Sequence, residues 1–225
     1  MKIGFMGAGN MARSMGIGWA ELGHAVFFGS RDPARGARLA AFAGHGARGG
    51  GNAEAAAFGD NVIITVRERV PTDELDTVAP LAGKVLLDIN NRALPADSMP
   101  GAAIGESLAE RIAADVPAAR VVKGYNTMAQ EVFEHPPEIL RQQGVSMFLC
   151  GDDDEARALV AGLAREHGLI PVDCGGLGAA RMVEGLGDFI RYMMRGRDYG
   201  LFATVNFRTI PAPARERLGG RGYQP

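Results

Sequence analysis

Cysteine is scarce in this chain of 225 residues: Cys150 and Cys174 stand far apart and match no metal-site or disulfide spacing. Each reads as a buried free thiol at a strand end in a reducing cytoplasm. Lysine is confined to Lys2, Lys84 and Lys123, which limits the candidates for a catalytic ammonium. The four histidines are scattered and assemble no ligand set, so no metal site is expected. No apolar run reaches eighteen residues, which argues against a membrane-spanning helix. Neither sign of charge dominates: 24 basic and 26 acidic residues leave a net charge of −2. They are spread along the chain and form no basic patch for nucleic acid. The chain opens directly on a core-like strand, so a cytoplasmic location without a signal peptide is expected. Glycine, by contrast, is abundant at 32 residues, in a chain that is 47% hydrophobic. That composition suits one full core with a small appendage.

The glycines matter most at the start. Lys2 to Met6 reads as a strand, Gly7-Ala8-Gly9-Asn10-Met11-Ala12 as a turn, and the next residues as a helix closing at Gly23. A second strand, Ala25 to Gly29, follows with little spare chain. A G-x-G-x-x-A turn in that setting is a dinucleotide-binding pattern. Gly7 permits the tight turn, Gly9 lets the backbone approach a pyrophosphate, and small Ala12 lets helix and strand pack closely. The pyrophosphate would rest on free N–H groups at the helix start, around Asn10 and Met11.

The end of the second strand selects the dinucleotide. Cofactors without a 2′-phosphate usually meet a carboxylate there. Here Ser30 and Arg31 stand at the strand end and Arg35 lies one helical turn on. A hydroxyl and two guanidinium groups suit a dianionic phosphate, which favours NADP(H). Asp32 reads as a helix cap ahead of Pro33 rather than as a ribose-binding acid. The alternative is that Arg31, Arg35 and Arg38 form an ordinary solvated face.

Further strands are expected at 61–66, 84–89, 120–124, 145–150 and 169–173. Their apolar runs suit burial on both faces of a parallel sheet. Helices are expected at 33–42, 53–58 (capped by Asn52), 72–81, 106–116, from 152 to His167, and over 180–194. A very short strand is allowed within 44–51. The acidic run Asp152-Asp153-Asp154-Glu155 reads as a helix start rather than a cation site. Thr65 and Val66, Asn90, and Tyr125-Asn126 would all reach the carboxyl edge, where such sheets bind ligands. The amides of Asn90 and Asn91 suit either a nicotinamide or second ring, or plain turn chemistry. Trp19 reads as packing rather than cofactor contact, and Tyr125 and Met128 read at least as well as packing. The fold class is α/β: a Rossmann-type, doubly wound, mostly parallel sheet with a small helical C-terminal domain. Residues 1–174 would bind NADP(H), and residues 175–225 would form the acceptor-side domain and a weakly patterned proline-bearing tail.

The sequence resembles the NADP-dependent oxidoreductases typified by the NADPH:deazaflavin reductase that acts on coenzyme F420. The carriers are the glycine turn, Gly29-Ser30-Arg31, Cys150-Gly151-Asp152-Asp153-Asp154-Glu155, and Asp173-Cys174-Gly175-Gly176-Leu177 leading into Ala180-Arg181-Met182-Val183-Glu184. The resemblance implies that Ser30, Arg31 and Arg35 hold the 2′-phosphate. The middle of the chain is closer to the cytoplasmic domain of the STEAP metalloreductases, which passes hydride from NADPH to FMN or FAD. Its carriers are Asp88-Ile89-Asn90-Asn91, Glu106-Ser107-Leu108-Ala109-Glu110 and Val121-Val122-Lys123-Gly124-Tyr125-Asn126. By these resemblances Thr65 and Val66 line the nicotinamide ribose, while Asn90, Asn126, Tyr125 and Met128 shape the acceptor side. A homodimer is also expected, with the last long helix as a possible interface. The glycine turn is similar to that of pyrroline-5-carboxylate reductase as well. Between Asp173 and the weakly patterned tail lie only about thirty residues, too few for the helical domain those enzymes need. A dinucleotide-binding sensor without turnover is the non-enzymatic alternative.

Overall fold

The chain folds outward to both sides of a switch in direction. β1 (Lys2–Met6), α1 (Asn10–Glu21) and β2 (Ala25–Ser30) form the first unit, followed by α2 (Pro33–Ala43) and β3 (Arg48–Gly51). The chain then passes through α3 (Asn52–Phe58) to β4 (Asn61–Ile64), β5 (Val85–Asp88), α4 (Leu108–Asp115) and β6 (Arg120–Lys123). Last come α5 (Pro137–Gln143), β7 (Ser146–Gly151), α6 (Asp154–Glu166), β8 (Ile170–Asp173) and α7 (Ala180–Arg191). This computed structural model describes residues 1–92 and 103–211. The strands form one sheet in the order β3-β2-β1-β4-β5-β6-β7-β8. β1 to β6 run parallel. β7 turns antiparallel to β6, and β8 follows β7. This is the expected Rossmann-type α/β sheet with a helical C-terminal region. The order reverses beside β1, so the cleft above β1 and β4 is where such a sheet takes its ligand.

Two apolar layers hold the helices to the sheet. In β4, Ile63 points into the layer of Ile3, Phe5, Trp19 and Phe28, while Val62 and Ile64 point into that of Leu86, Leu108 and Ile112. Alternation across a strand buried on both faces explains its unbroken apolar run. α1 buries Ala12, Met15, Gly16, Trp19 and Ala20, a single stripe at helical spacing. Each large side chain so buried contributes about 1.5–3 kcal/mol. Trp19 is indeed core, stacked on His167 at 4.4 Å between ring centroids.

His167 has a cost at low pH. It lies buried among Trp19, Tyr125 and Phe133, and its Nε2 faces the Met15 carbonyl at 3.3 Å. Burial pushes its pKa down from 6.5 to about 4. Below pH 6.5 the unfolded chain takes up a proton that the folded chain refuses, so stability falls as the pH drops toward 4. The loss approaches ~3 kcal/mol at one unit per 1.36 kcal/mol. Urea unfolding at pH 7 and pH 4.5 should therefore differ by less in His167→Gln than in the parent protein. An unchanged difference would place the titrating group elsewhere.

Three sequence expectations need correction. The helix expected over 72–81 is two short 3₁₀ turns, Pro71–Asp73 and Ala79–Leu81. Pro80 has no N–H to give to residue 76 and its ring would strike that carbonyl, so a continuous helix fails there. Asn52 does not cap α3: Gly51 is the cap residue, and its N–H donates to the Glu54 carboxylate at 2.7 Å. The last helix is α-helical as far as Arg191 and then widens into a π turn over Tyr192–Gly196. Asp32, by contrast, caps α2 as expected, accepting from the Ala34 N–H at 3.1 Å. Asp153 caps α6 in the same way, accepting from the Ala156 N–H at 2.7 Å. Pro213 and Pro225 of the expected tail lie outside the described residues.

Candidate functional site

Two adjoining cavities open at the carboxyl edge. The smaller, of about 180 Å³, is lined by Gly7, Ala8, Gly9, Ser30, Arg31, Arg35, Asn52, Thr65, Val66 and Glu74. The larger, of about 760 Å³, begins at Gly9, Asn10 and Met11 and passes Thr65 to Asn90, Tyr125, Asn126 and Met128. Its far wall comes from Ile190, Arg191, Met194, Arg195 and Leu201. Ala12 lines neither; it is fully buried between α1 and the sheet.

The turn at the shared edge is rigidly built. Gly7 has φ +115°, and a Cβ there would sit 2.3 Å from the Thr65 hydroxyl. That hydroxyl donates to the Met6 carbonyl at 2.8 Å, which fastens the end of β4 to the turn. The Gly7 N–H donates to the Asn52 side-chain oxygen at 3.1 Å. Arg35 Nε donates to the Ala8 carbonyl at 3.1 Å. No side chain caps the start of α1. Its first N–H groups therefore point toward the cleft with the positive end of the helix dipole behind them.

At the end of β2, Ser30 is nearly buried and its hydroxyl accepts from the Asp32 N–H at 3.2 Å. Asp32 also pairs with Arg38 at 3.4 Å, which keeps that carboxylate on the helix. Glu74 reaches the same place from the loop after β4, with a side chain that has no exposed surface. It accepts from Asn52 Nδ2 at 2.8 Å and Arg69 Nη1 at 3.1 Å, and lies 3.9 Å from Arg31 Nε. Asn52, Arg69 and Glu74 carry no motif that singles them out in the sequence.

The floor of the larger cavity is an amide lattice. Asn90 Nδ2 donates to the Ile64 carbonyl at 2.8 Å and to Asp88 at 2.9 Å. Asn91 Nδ2 donates to the Asn126 carbonyl at 2.6 Å, and Asn126 Nδ2 returns to Asn91 Oδ1 at 2.9 Å. Asn126 Nδ2 also donates to the Val183 carbonyl on α7 at 2.9 Å. The donors of these amides are thus engaged within the protein, and Asn126 Oδ1 is buried without a partner among the described residues. α7 comes this close because residue 187 is glycine: a Cβ there would lie 2.1 Å from Asn91 Oδ1.

Beneath the lattice is a buried charge cluster. Lys123 Nζ lies 2.7 Å from Asp88 Oδ2 and 3.0 Å from Glu184 Oε1, and it also donates to the Asn90 carbonyl. None of the three side chains has more than 1% exposure. Burial pushes the Glu184 carboxyl up, with the Lys123 ammonium opposing that shift. The two cysteines do no comparable work. Both are free, and burial raises both thiols, Cys150 to about 12, so neither is a thiolate at neutral pH.

A glycine turn and a guanidinium-bearing strand end, meeting at the switch point of a parallel sheet, define a Rossmann-type dinucleotide protein. Comparison with known proteins shows what the chain is similar to. Residues 2–92 match the model of the NADP oxidoreductase, coenzyme F420-dependent family. The chain is 31% identical to metalloreductase STEAP3 of Rattus norvegicus over 185 residues, 82% of this chain and 36% of that protein. With human metalloreductase STEAP2 it shares 28% over 186 residues, again 36% of the relative. The chain thus spans about a third of the length of these curated relatives. A solved structure from Arthrobacter sp. FB24, a candidate F420-dependent NADP-reductase, superposes with TM-score 0.78 at 29% identity. It covers 94% of this chain and 100% of that one. An imine reductase from Streptomyces aurantiacus, at 18% identity and TM-score 0.58, shares the fold. Over these spans the chain is similar to the NADP oxidoreductase, coenzyme F420-dependent family and to the STEAP metalloreductases.

Proposed function

We propose that the protein moves a hydride between NADP(H) and a deazaflavin, coenzyme F420, or a flavin, FMN or FAD. The observation that carries this reading is the larger cavity, which starts at the pyrophosphate turn and is roomy enough for two facing rings. In this reading the turn at Gly7 and Gly9, with the N–H groups of Asn10 and Met11, takes the pyrophosphate. Ala12 lets α1 lie close enough for that. Ser30, Arg31 and Arg35 take the 2′-phosphate, and Thr65 with Val66 lines the nicotinamide ribose. Asn90 and Asn126, held by their lattice, shape the acceptor side with Tyr125 and Met128.

Hydride transfer asks little more of side chains than position. Donor and acceptor carbons must meet face to face near contact distance, with water kept out. Residues 1–174 would serve the dinucleotide and residues 175–225 the acceptor, in a cytoplasmic homodimer. Met182 and Phe189, exposed on α7, are available for such an interface.

Stopped-flow oxidation of NADPH with coenzyme F420, FMN and FAD offered separately tests the proposal. Rapid turnover with the deazaflavin alone assigns that acceptor, and turnover with FMN or FAD assigns the flavin. Tight NADPH binding with no acceptor reduced would overturn the reading in favour of a small imine or carbonyl substrate, or a sensor. The phosphate assignment has its own check. Arg31→Ala should weaken NADPH binding about tenfold or more and leave NADH binding nearly unchanged, because a guanidinium–phosphate contact is charge-assisted. Equal losses would sink it.

A further inference from the structure

The guanidinium of Arg69 lies outside the 2′-phosphate set read from the sequence and outside the lining of the smaller cavity, yet it is tied to that lining through Glu74. It comes from the loop after β4, and its Nη1 donates to Glu74 Oε1 at 3.1 Å. Arg31, from the end of β2, lies 3.9 Å from the other oxygen of that carboxylate. Glu74 is itself held by Asn52, whose side-chain oxygen takes the Gly7 N–H of the glycine turn. A run of short contacts therefore fixes Arg69 relative to the turn and to Arg31, around one buried carboxylate in the wall of the smaller cavity.

We propose that Arg69 is a specificity-determining residue that closes on the 2′-phosphate opposite Arg31, with Glu74 and Asn52 as its positioning residues. The inference rests on the NADP(H) reading above. Its physical basis is the bridging already seen. Two guanidiniums that flank one carboxylate can flank a phosphate, which offers pairs of oxygens at similar spacing and carries more charge. Glu74 neutralises part of the positive charge of this pair, so the two arginines do not repel each other before the dianion arrives. A further cation would add to the charge and hydrogen bonds that Ser30, Arg31 and Arg35 offer a dianion. Arg69 is 44% exposed, so its guanidinium is free to move, and when it is removed Glu74 keeps the Asn52 amide at 2.8 Å and Arg31 at 3.9 Å.

The test is calorimetric titration of the whole protein with 2′,5′-ADP and with 5′-AMP, for the parent, Arg31→Ala, Arg69→Ala and Arg69→Lys. Arg69→Ala should lower 2′,5′-ADP affinity about tenfold or more and leave 5′-AMP within about twofold. Arg69→Lys should recover part of the loss, since a point charge replaces a planar fork. Equal weakening toward both ligands would overturn the proposal and make Arg69 a contact of adenine or ribose. An unchanged ratio in Arg69→Ala beside a collapsed ratio in Arg31→Ala would overturn it while leaving the NADP(H) reading in place. An unchanged ratio in both variants would overturn the NADP(H) reading itself.

Discussion

Lys123→Met should lower the stability of the fold by about 3–5 kcal/mol, the range for removing one partner of a buried ion pair. The ammonium is the counterion of two carboxylates, Asp88 and Glu184, and both stay buried when it goes. Methionine matches the lysine stem in volume, so the loss reports the charge and not a cavity. Guanidinium chloride unfolding at pH 7 measures it. Neutralising the acids as well, in a Lys123→Met, Asp88→Asn, Glu184→Gln triple variant, should return much of the stability. A single-variant loss below about 1 kcal/mol would mean that water reaches these carboxylates, contrary to their burial. The same replacement frees the Asn90 carbonyl, so acceptor-side geometry should loosen along with the fold.

Gly9→Val should abolish dinucleotide binding and leave the fold standing. Among the described residues a Cβ at Gly9 meets no atom within 4 Å, and the backbone there is extended, at φ −90° and ψ −175°, which valine adopts readily. The expected change in unfolding free energy is therefore within about 1 kcal/mol, mostly the poorer helix cap. The new methyl groups would stand where a pyrophosphate must approach the helix start, and affinity should drop more than a hundredfold, or about 2.7 kcal/mol. Fluorescence titration with NADPH beside a thermal melt separates the two effects. Retained affinity in a folded variant would show that this turn does not hold the phosphates. Gly7 would be a poorer probe, because its positive φ and the nearby Thr65 hydroxyl make any side chain disturb the fold as well.

The sequence was most legible where local rules and tertiary demands agree. The glycine turn, the caps at Asp32 and Asp153, and the unbroken apolar strands each answer to a short-range cause. Less of the site was readable. Asn52 has the residue type of a helix cap, but its side chain is engaged 45 residues away at Gly7, a tie that no local pattern announces. Glu74 sits in a stretch whose spacing suggests a helix, and Pro80 was the signal against it. Lys123 was visible only as one of three lysines, at the end of a short strand. Its partners are 35 and 61 positions away on β5 and α7, so only the fold reveals that they form a cluster.

The reversal at β7 has a mechanical consequence. Among the described residues, β7 pairs with β6 at Val122–Gly151 and Lys123–Cys150, and the rest of it runs on beside β8. By strand pairing the sheet is two plates joined along a narrow seam, a six-stranded plate that carries the glycine turn and a two-stranded plate beyond it, with the core around Trp19 and His167 shared between them. Stiffness in such an object is lowest across the seam. Any bending that narrows or widens the larger cavity should concentrate there, with the Lys123 cluster as the pin through the joint.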